Sequence, residues 1–338
     1  MTSIRNLKKV ITFSVALFTI PEVGLAQHKP GPLAHTYSIV ARDPVTGDMG
    51  VAVQSHAFSV GTIVSWGEAG VGVVATQSFV DPGYGGKGLE LMRKGVSAPE
   101  ALKQLVAADR ENGGRQVAML DAQGRVSVYT GPKAIGAAGQ LIRNQFSVQA
   151  NLMTNDTVWN AMAGAYESTN GDLADRLLAA LEAAQAAGGD IRGKMSAALL
   201  VVRAKGSGRP WSGADRLFDV RVDDHAEPLV ELRRLVRLQR AANHSYRGDE
   251  LMNEKKINEG LVDYREAMRL APEVTEYAFW YATTLFTIGS EAEGMLLLRD
   301  VFAKEPFWLE VLKRLPASGL FPDDPALLKR VEGLLPKQ

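Results

Sequence analysis

The order of strand-like and helix-like segments is the feature that most restricts the fold of this chain. Residues 36–43 and 48–56 are apolar, strand-like runs on either side of the turn 44–47. Two more β-branched runs lie within 61–78, around Glu68 to Gly70. We expect these four segments to form one β-meander at the beginning of a domain.

Helical patterns follow these strands. Along the chain, groups of strands alternate with groups of helices, instead of single strands alternating with single helices. Ser97 and Glu100 form a capping box at the start of one helix, and Gly188 and Gly189 are a typical helix stop. The later segments are a hairpin at 115–131, helices at 157–168 and 173–189, and strands at 196–204 and 217–224. Strands grouped with strands and helices with helices predict α+β layers rather than βαβ units.

Residues after Pro228 carry only helical patterns. Four positions recur there at an offset of 34 residues, which is the period of tetratricopeptide (TPR) repeats. The recurring pairs are Gly260 and Gly294, Tyr264 and Leu298, Ala267 and Val301, and Pro272 and Pro306. Fewer than three repeats rarely stand alone, so we expect a small all-α, TPR-like domain over 239–338 that packs on the main domain or on another subunit. A generic helical hairpin is the alternative.

The composition excludes several classes of site. The chain has 38 basic and 38 acidic residues, so its balance does not suggest a nucleic-acid surface. The absence of cysteine excludes disulfides, thiolate metal sites and a cysteine nucleophile. No two of the five histidines have helical metal spacing, and motifs for a P-loop, a dinucleotide or an HExxH zinc site are missing. We therefore predict no metal and no cofactor.

The first residues have the pattern of an export signal. Arg5, Lys8 and Lys9 precede an apolar run at 10–20, and Gly24-Leu25-Ala26 fits a signal-peptidase site. We predict a signal peptide at 1–26, a linker at 27–35 and a periplasmic or secreted protein. A membrane anchor is the alternative, but the apolar run is shorter than the roughly 20 residues that span a bilayer.

Polar residues at strand ends and loops are the remaining candidates for chemistry. Each has an alternative interpretation as a turn former or helix cap. The candidates are Thr36, Ser38, Gln54, Ser55, Thr76, Gln77, Arg115, Asn151, Asp190 and Arg192.

Five segments in order, from "TYSIVARDPVTGDMGVAVQS" to "RVDDHAEPLVELRRL", resemble the bacterial DUF1028 family over residues 36–238. The resemblance implies an N-terminal nucleophile (Ntn) hydrolase-like fold, a four-layer αββα sandwich. It further implies amide hydrolysis, in which the hydroxyl of a mature N-terminal Thr attacks a carbonyl and the α-amine of that residue accepts the proton.

Thr36 matches the nucleophile position of that family. Ser38, Gln54, Ser55, Thr76, Gln77, Asn151 and Asp190 are then candidates to line the pocket, and Arg115 or Arg192 to pair a substrate carboxylate. One departure is His35, because Ntn precursors commonly have Gly before the nucleophile.

The sequence leaves two other functions open. One is a non-catalytic periplasmic binding protein that uses its helical repeats to dock a partner. The other is a structural surface subunit, favoured only by the predicted export. A homo-oligomer is compatible with all three functions.

Overall fold

A computed structural model describes residues 33–209 and 213–335. The predicted signal peptide and most of the predicted linker lie outside these residues. The strands are β1 (Leu33–Ala34), β2 (Thr36–Arg42), β3 (Met49–Ser55), β4 (Ser65–Glu68), β5 (Gly72–Phe79), β6 (Arg115–Asp121), β7 (Val126–Thr130), β8 (Gly139–Arg143), β9 (Phe146–Ala150), β10 (Ser196–Val202) and β11 (Arg216–Val222). The α-helices are α1 (Gly61–Val64), α2 (Gly83–Arg93), α3 (Ala98–Ala108), α4 (Val158–Ser168), α5 (Leu173–Ala186), α6 (Pro228–Asn253), α7 (Ile257–Leu270), α8 (Thr275–Thr287), α9 (Glu291–Lys304), α10 (Trp308–Leu312) and α11 (Pro325–Glu332).

The strands form two antiparallel sheets. The six-stranded sheet has the order β11-β10-β3-β2-β9-β8, and the five-stranded sheet has the order β1-β5-β6-β7 with β4 also paired to β5. The predicted single meander is therefore wrong, because β2 and β3 belong to one sheet while β4 and β5 belong to the other. The reason lies in the packing: Val51 and Val53 on the first hairpin and Val73 and Ala75 on the second are fully buried in one shared core. Each hairpin thus covers the apolar face of the other.

Alternation along the strands divides the interior into separate cores. In β2, Val40 belongs to the core between the sheets, whereas Ile39 belongs to the core beneath α4 and α5. On the five-stranded sheet, Val74 belongs to a third core beneath α2 and α3. Each sheet therefore faces the other sheet on one side and a pair of helices on the opposite side. The predicted mixture of helices with antiparallel sheets is confirmed.

Several local predictions are also confirmed by the chain's own hydrogen bonds. Ser97 caps α3 by accepting from the backbone N–H of Glu100, and Gly188 and Gly189 end α5 with positive φ angles of 119° and 60°. The hairpin of β8 and β9 was not predicted from the sequence. In β9 the apolar Phe146, Val148 and Ala150 do alternate with Ser147 and Gln149, but the strand is only five residues long, and its partner β8 lacks such an alternation.

Helix α6 is 26 residues long and joins the two parts of the chain. Its first part packs on β10, β11 and α5, and α7 packs beside it. The predicted boundary between residues 238 and 239 therefore falls inside one continuous helix. Close packing of α6 on α7 requires Gly248, because a Cβ there would lie 2.9 Å from the Tyr264 ring; Gly294 plays the same part beneath Phe286. A helical C-terminal region is thus confirmed.

None of the helices within residues 33–209 and 213–335 is both long and apolar enough to cross a membrane.

Candidate active site

Thr36 lies at the first position of β2, with its side chain buried between the two sheets. It shares this face with Ser38, whose hydroxyl donates to Gln77 Oε1 on the opposite sheet at 2.6 Å. The Thr36 hydroxyl itself has no hydrogen-bond partner among the described residues. A buried hydroxyl without a partner costs about 1–3 kcal/mol, and those of Ser65, Ser78 and Tyr166 also lack one within the described residues, so what distinguishes Thr36 is the peptide bond that precedes it.

The carbonyl oxygen of His35, directly before Thr36, accepts two side-chain hydrogen bonds. The Ser55 hydroxyl donates to it at 2.7 Å, and the Arg192 Nη2 donates at 2.7 Å. Arg192 is fixed in this position by Asp190, whose carboxylate accepts from Nε at 3.0 Å and from Nη2 at 2.7 Å. The peptide bond between His35 and Thr36 therefore has a polarised carbonyl on one side and an unpaired hydroxyl on the other.

A network of side-chain amides holds the start of β2 against the five-stranded sheet. Gln77 Nε2 donates to the Thr36 carbonyl oxygen at 3.2 Å and to Gln116 Oε1 at 2.7 Å. Asn151 Nδ2 also donates to Gln116 Oε1, at 2.9 Å, while its Oδ1 lies 2.9 Å from His35 Nδ1. All five residues are buried, so these bonds form away from water and fix the backbone on both sides of the His35–Thr36 bond.

The structure brings seven of the ten predicted site residues together. These are Thr36, Ser38, Ser55, Gln77, Asn151, Asp190 and Arg192. His35 and Gln116 belong to the same network, and Gln149 joins it by donating to the Ser38 hydroxyl at 2.6 Å; these three were not among the predicted site residues. Gln116 pairs directly with Gln77 across neighbouring strands, a relation that only the strand register reveals.

The three other predicted residues lie on the opposite faces of their strands. Gln54 belongs to the helix-covered face of β3, where its amide is buried without a partner. Thr76 donates to the Asp81 carbonyl at 3.1 Å. Arg115 forms an ion pair with Asp109 at 2.9 Å and donates to the Phe79 carbonyl oxygen, so its guanidinium charge is already neutralised by a residue of the chain. A shift of one residue along a strand exchanges the two faces of a sheet, which explains why neighbours separate in this way.

A family model described as a family of unknown function, DUF1028, matches residues 36–232. This protein belongs to the DUF1028 family. The match begins at Thr36, contains every site residue except His35 and ends in α6, so most of the helical C-terminal region lies beyond it.

A DUF1028 protein from Silicibacter pomeroyi has a similar crystal structure. The two chains share 29% sequence identity, and the TM-score is 0.54 over 59% of this chain and 84% of the other chain. No curated protein matches this sequence. The family and the structure therefore support the fold of the DUF1028 domain without naming a reaction.

Burial lowers the pKa of His35 below its ordinary value of 6.5, and the Arg192 guanidinium acts in the same direction, while the Asn151 hydrogen bond and the Asp190 carboxylate oppose them. The ring is therefore neutral near pH 7 in the folded chain.

No cluster of three or more His, Asp or Glu residues that could hold a metal ion occurs in the part of the chain that the structure describes.

The lowered pKa of His35 predicts a pH-dependent stability. Below pH 6.5 the unfolded chain binds a proton that the folded chain does not bind until a lower pH. The contribution of His35 is therefore complete above pH 6.5 and is lost as the pH falls through the folded pKa. We expect His35→Gln to reduce the slope of unfolding free energy against pH below pH 6.5. Denaturant titrations in a Thr36→Val background, which keeps the 35–36 bond intact, measure this; an unchanged slope contradicts it.

Proposed function

We propose that this protein is an exported amide-bond hydrolase of the N-terminal nucleophile type, with Thr36 as the nucleophile. The observation that carries the proposal is that two groups occur at one peptide bond. The Thr36 hydroxyl is buried and has no hydrogen bond within the described residues, and the His35 carbonyl accepts from two donors. Both groups needed for attack on a carbonyl are thereby present at one peptide bond: a hydroxyl free to react and donors for the developing oxyanion.

The arrangement of layers supports the same proposal. Two antiparallel sheets facing each other, each covered by helices on its other side, agree with the four-layer αββα sandwich of Ntn hydrolases. In that fold the nucleophile begins a strand whose side chains point between the sheets, as Thr36 does at the start of β2. For the C-terminal region we infer a TPR-like arrangement, supported by the close-packed Gly248 and Gly294 and by the 34-residue offsets.

The first reaction that we propose is cleavage of the protein's own His35–Thr36 bond. Thr36 Oγ1 attacks the His35 carbonyl carbon through a five-membered ring, while Ser55 and Arg192 hold the oxyanion. The C–N bond then breaks as the proton lost by the Thr36 hydroxyl is transferred to the Thr36 nitrogen, and His35 is left as an ester on Oγ1. Water hydrolyses the ester to give the His35 carboxylate and a Thr36 with a free α-amine.

The second reaction uses this mature terminus on an added substrate. The Thr36 α-amine, with an ordinary pKa near 8, accepts the hydroxyl proton as Oγ1 attacks the substrate amide, and it returns a proton to the departing amine. Water then hydrolyses the acyl-enzyme. Because Ala34 and His35 are buried beside Thr36 in the intact chain, the substrate enters after the preceding segment has left. A small amide or peptide-like substrate fits this enclosed position.

The identity of the mature N-terminus tests the proposal directly. We expect intact-mass measurement and N-terminal sequencing of protein purified from the exporting cell to give a chain that begins at Thr36. Recovery of a chain that begins at Gln27, with no cleavage on prolonged incubation, contradicts self-processing. If that longer chain also hydrolyses amides, the terminal-amine mechanism is excluded.

A further inference from the structure

A cavity of about 700 Å³ lies among the C-terminal helices, away from the DUF1028 site. Its walls come from the second half of α6, from α7 and α8, and from the turn around Gly319 and Leu320. The volume is within the range of about 300–1,000 Å³ that is usual for ligand pockets. Its lining contains no Lys, Arg or His, although α6 and α7 are rich in basic residues.

Two carboxylates and several aromatic rings give the cavity its character. Asp249 and Glu276 line it, together with Tyr246, Tyr277 and Trp280. Asp249 Oδ1 accepts from the buried Tyr264 hydroxyl at 2.6 Å, and Glu276 Oε1 accepts from Trp280 Nε1 at 3.2 Å. These bonds hold both carboxylates beside aromatic rings.

Neither carboxylate has an ion pair with a basic side chain of the described residues. In α7, Asp263 is paired with Arg247 and Glu266 with Arg269, whereas Glu250 of α6 and Glu259 of α7 have no ion pair among the described residues either and lie outside the cavity. The negative charge of the cavity is therefore not compensated by its own walls.

Three threonines of the wall add acceptor oxygens, beside the hydroxyl and amide groups of Ser245, Tyr246, Asn253 and Tyr277. The hydroxyls of Thr283 and Thr284 donate to the Trp280 carbonyl oxygen at 2.9 and 3.0 Å, and Thr287 donates to the Thr284 carbonyl oxygen at 2.7 Å. Their protons are thus used within α8, and the oxygen lone pairs remain. A ligand that supplies donors and positive charge complements the carboxylates and these oxygens, and the aromatic faces add a favourable interaction with a cation.

We propose that the cavity binds a segment of another protein that carries a Lys or Arg flanked by apolar residues. A peptide segment is favoured because two apolar side chains at the cavity, Tyr246 and Leu320, are 65% and 52% exposed and can cover the neighbours of the basic residue. The basic side chain lies between the Asp249 and Glu276 carboxylates, with Trp280 contributing its ring face. This interaction is independent of hydrolysis at Thr36.

The test is calorimetric titration of the full chain with four capped pentapeptides, Ala-Leu-X-Leu-Ala, where X is Lys, Arg, Gln or Glu. We expect the Lys and Arg peptides to bind with Kd below about 1 mM and at least about tenfold more tightly than the Gln peptide. Binding should weaken with added salt, because the attraction is between partly exposed charges. Absence of binding, equal affinity for all four peptides, or n-butylammonium binding as tightly as the Lys peptide overturns the proposal.

Matched variants locate the interaction. Asp249→Asn with Glu276→Gln keeps both acceptor oxygens but removes the charge, and we expect it to weaken the Lys peptide at least about tenfold. Tyr246→Ser removes an exposed aromatic ring at the edge of the cavity. It tests whether that ring contributes to peptide binding without disturbing the core. Glu259→Gln removes an exposed carboxylate of α7 outside the cavity and should leave the affinity unchanged. Equal effects of the control and the double variant also overturn the proposal.

Discussion

Replacement of Thr36 by valine is expected to abolish cleavage of the His35–Thr36 bond. Valine has nearly the shape of threonine but no hydroxyl, so no ester can form. Loss of a hydroxyl nucleophile lowers turnover by on the order of 10⁶-fold in a serine protease, which sets the expected scale. Intact-mass measurement over time detects the loss, because only the cleaved chain begins at residue 36. Thr36→Ser keeps a hydroxyl and should still cleave.

The same substitution has an unusual expected effect on stability. The Thr36 hydroxyl is buried without a partner, so its removal relieves an unpaired polar group and should leave the unfolding free energy unchanged or raise it by about 1–3 kcal/mol. Ser147→Ala is the matched control, because Ser147 is also buried but donates to Gln149 Oε1 at 3.1 Å. We expect this control to lose stability and keep cleavage. A destabilised Thr36→Val that still cleaves contradicts the assignment of Thr36.

The sequence predicted the types of most elements because local patterns determine them. The Ser97 cap, the Gly188-Gly189 stop and the alternation in β2 are visible within a few residues, and each agrees with the structure. The assignment of the first two hairpins to different sheets was not predictable in this way. Val51 and Val73 satisfy their burial equally well in a single sheet or in two facing sheets, so the choice depends on contacts far apart in the chain.

The candidate site likewise combines features that local sequence predicts with features that depend on strand register and on the backbone. Ser55 was predicted as a strand-end residue and lies at the site, whereas the adjacent Gln54 points to the helices, a difference set by strand register alone. The central acceptor was beyond any sequence pattern, because it is the backbone carbonyl of His35 and every residue has one. Arg192 was predicted to pair a substrate carboxylate; in the structure its guanidinium is bound to Asp190 and to that carbonyl. Its role for an external carboxylate stays a prediction.

Ser55→Ala is expected to slow self-cleavage by about 10²–10³-fold, the usual cost of removing one oxyanion donor. Ser196 provides a close control, because it pairs with Ser55 on the neighbouring strand β10 and is equally buried. Its hydroxyl donates to the Ala57 carbonyl oxygen instead of to His35. Ser55→Ala loses one buried hydrogen bond and should be destabilised by about 1–3 kcal/mol; Ser196→Ala should be destabilised at least as much, because its hydroxyl also accepts from the Val60 N–H at 3.1 Å. Time courses by intact mass therefore separate a catalytic donor from a structural one.

Arg192 allows the charge and the geometry of the second donor to be separated. A lysine at this position keeps the positive charge, but its single ammonium cannot make two bonds to Asp190 and also reach the His35 carbonyl in the fixed planar arrangement of a guanidinium. We expect Arg192→Lys to cleave more slowly than the native chain and faster than Arg192→Gln. If Ser55→Ala slows cleavage no more than Ser196→Ala does, and Arg192→Gln cleaves at the native rate, the hydrogen bonds to the His35 carbonyl serve only to hold the strand. The proposal that they stabilise an oxyanion is then wrong.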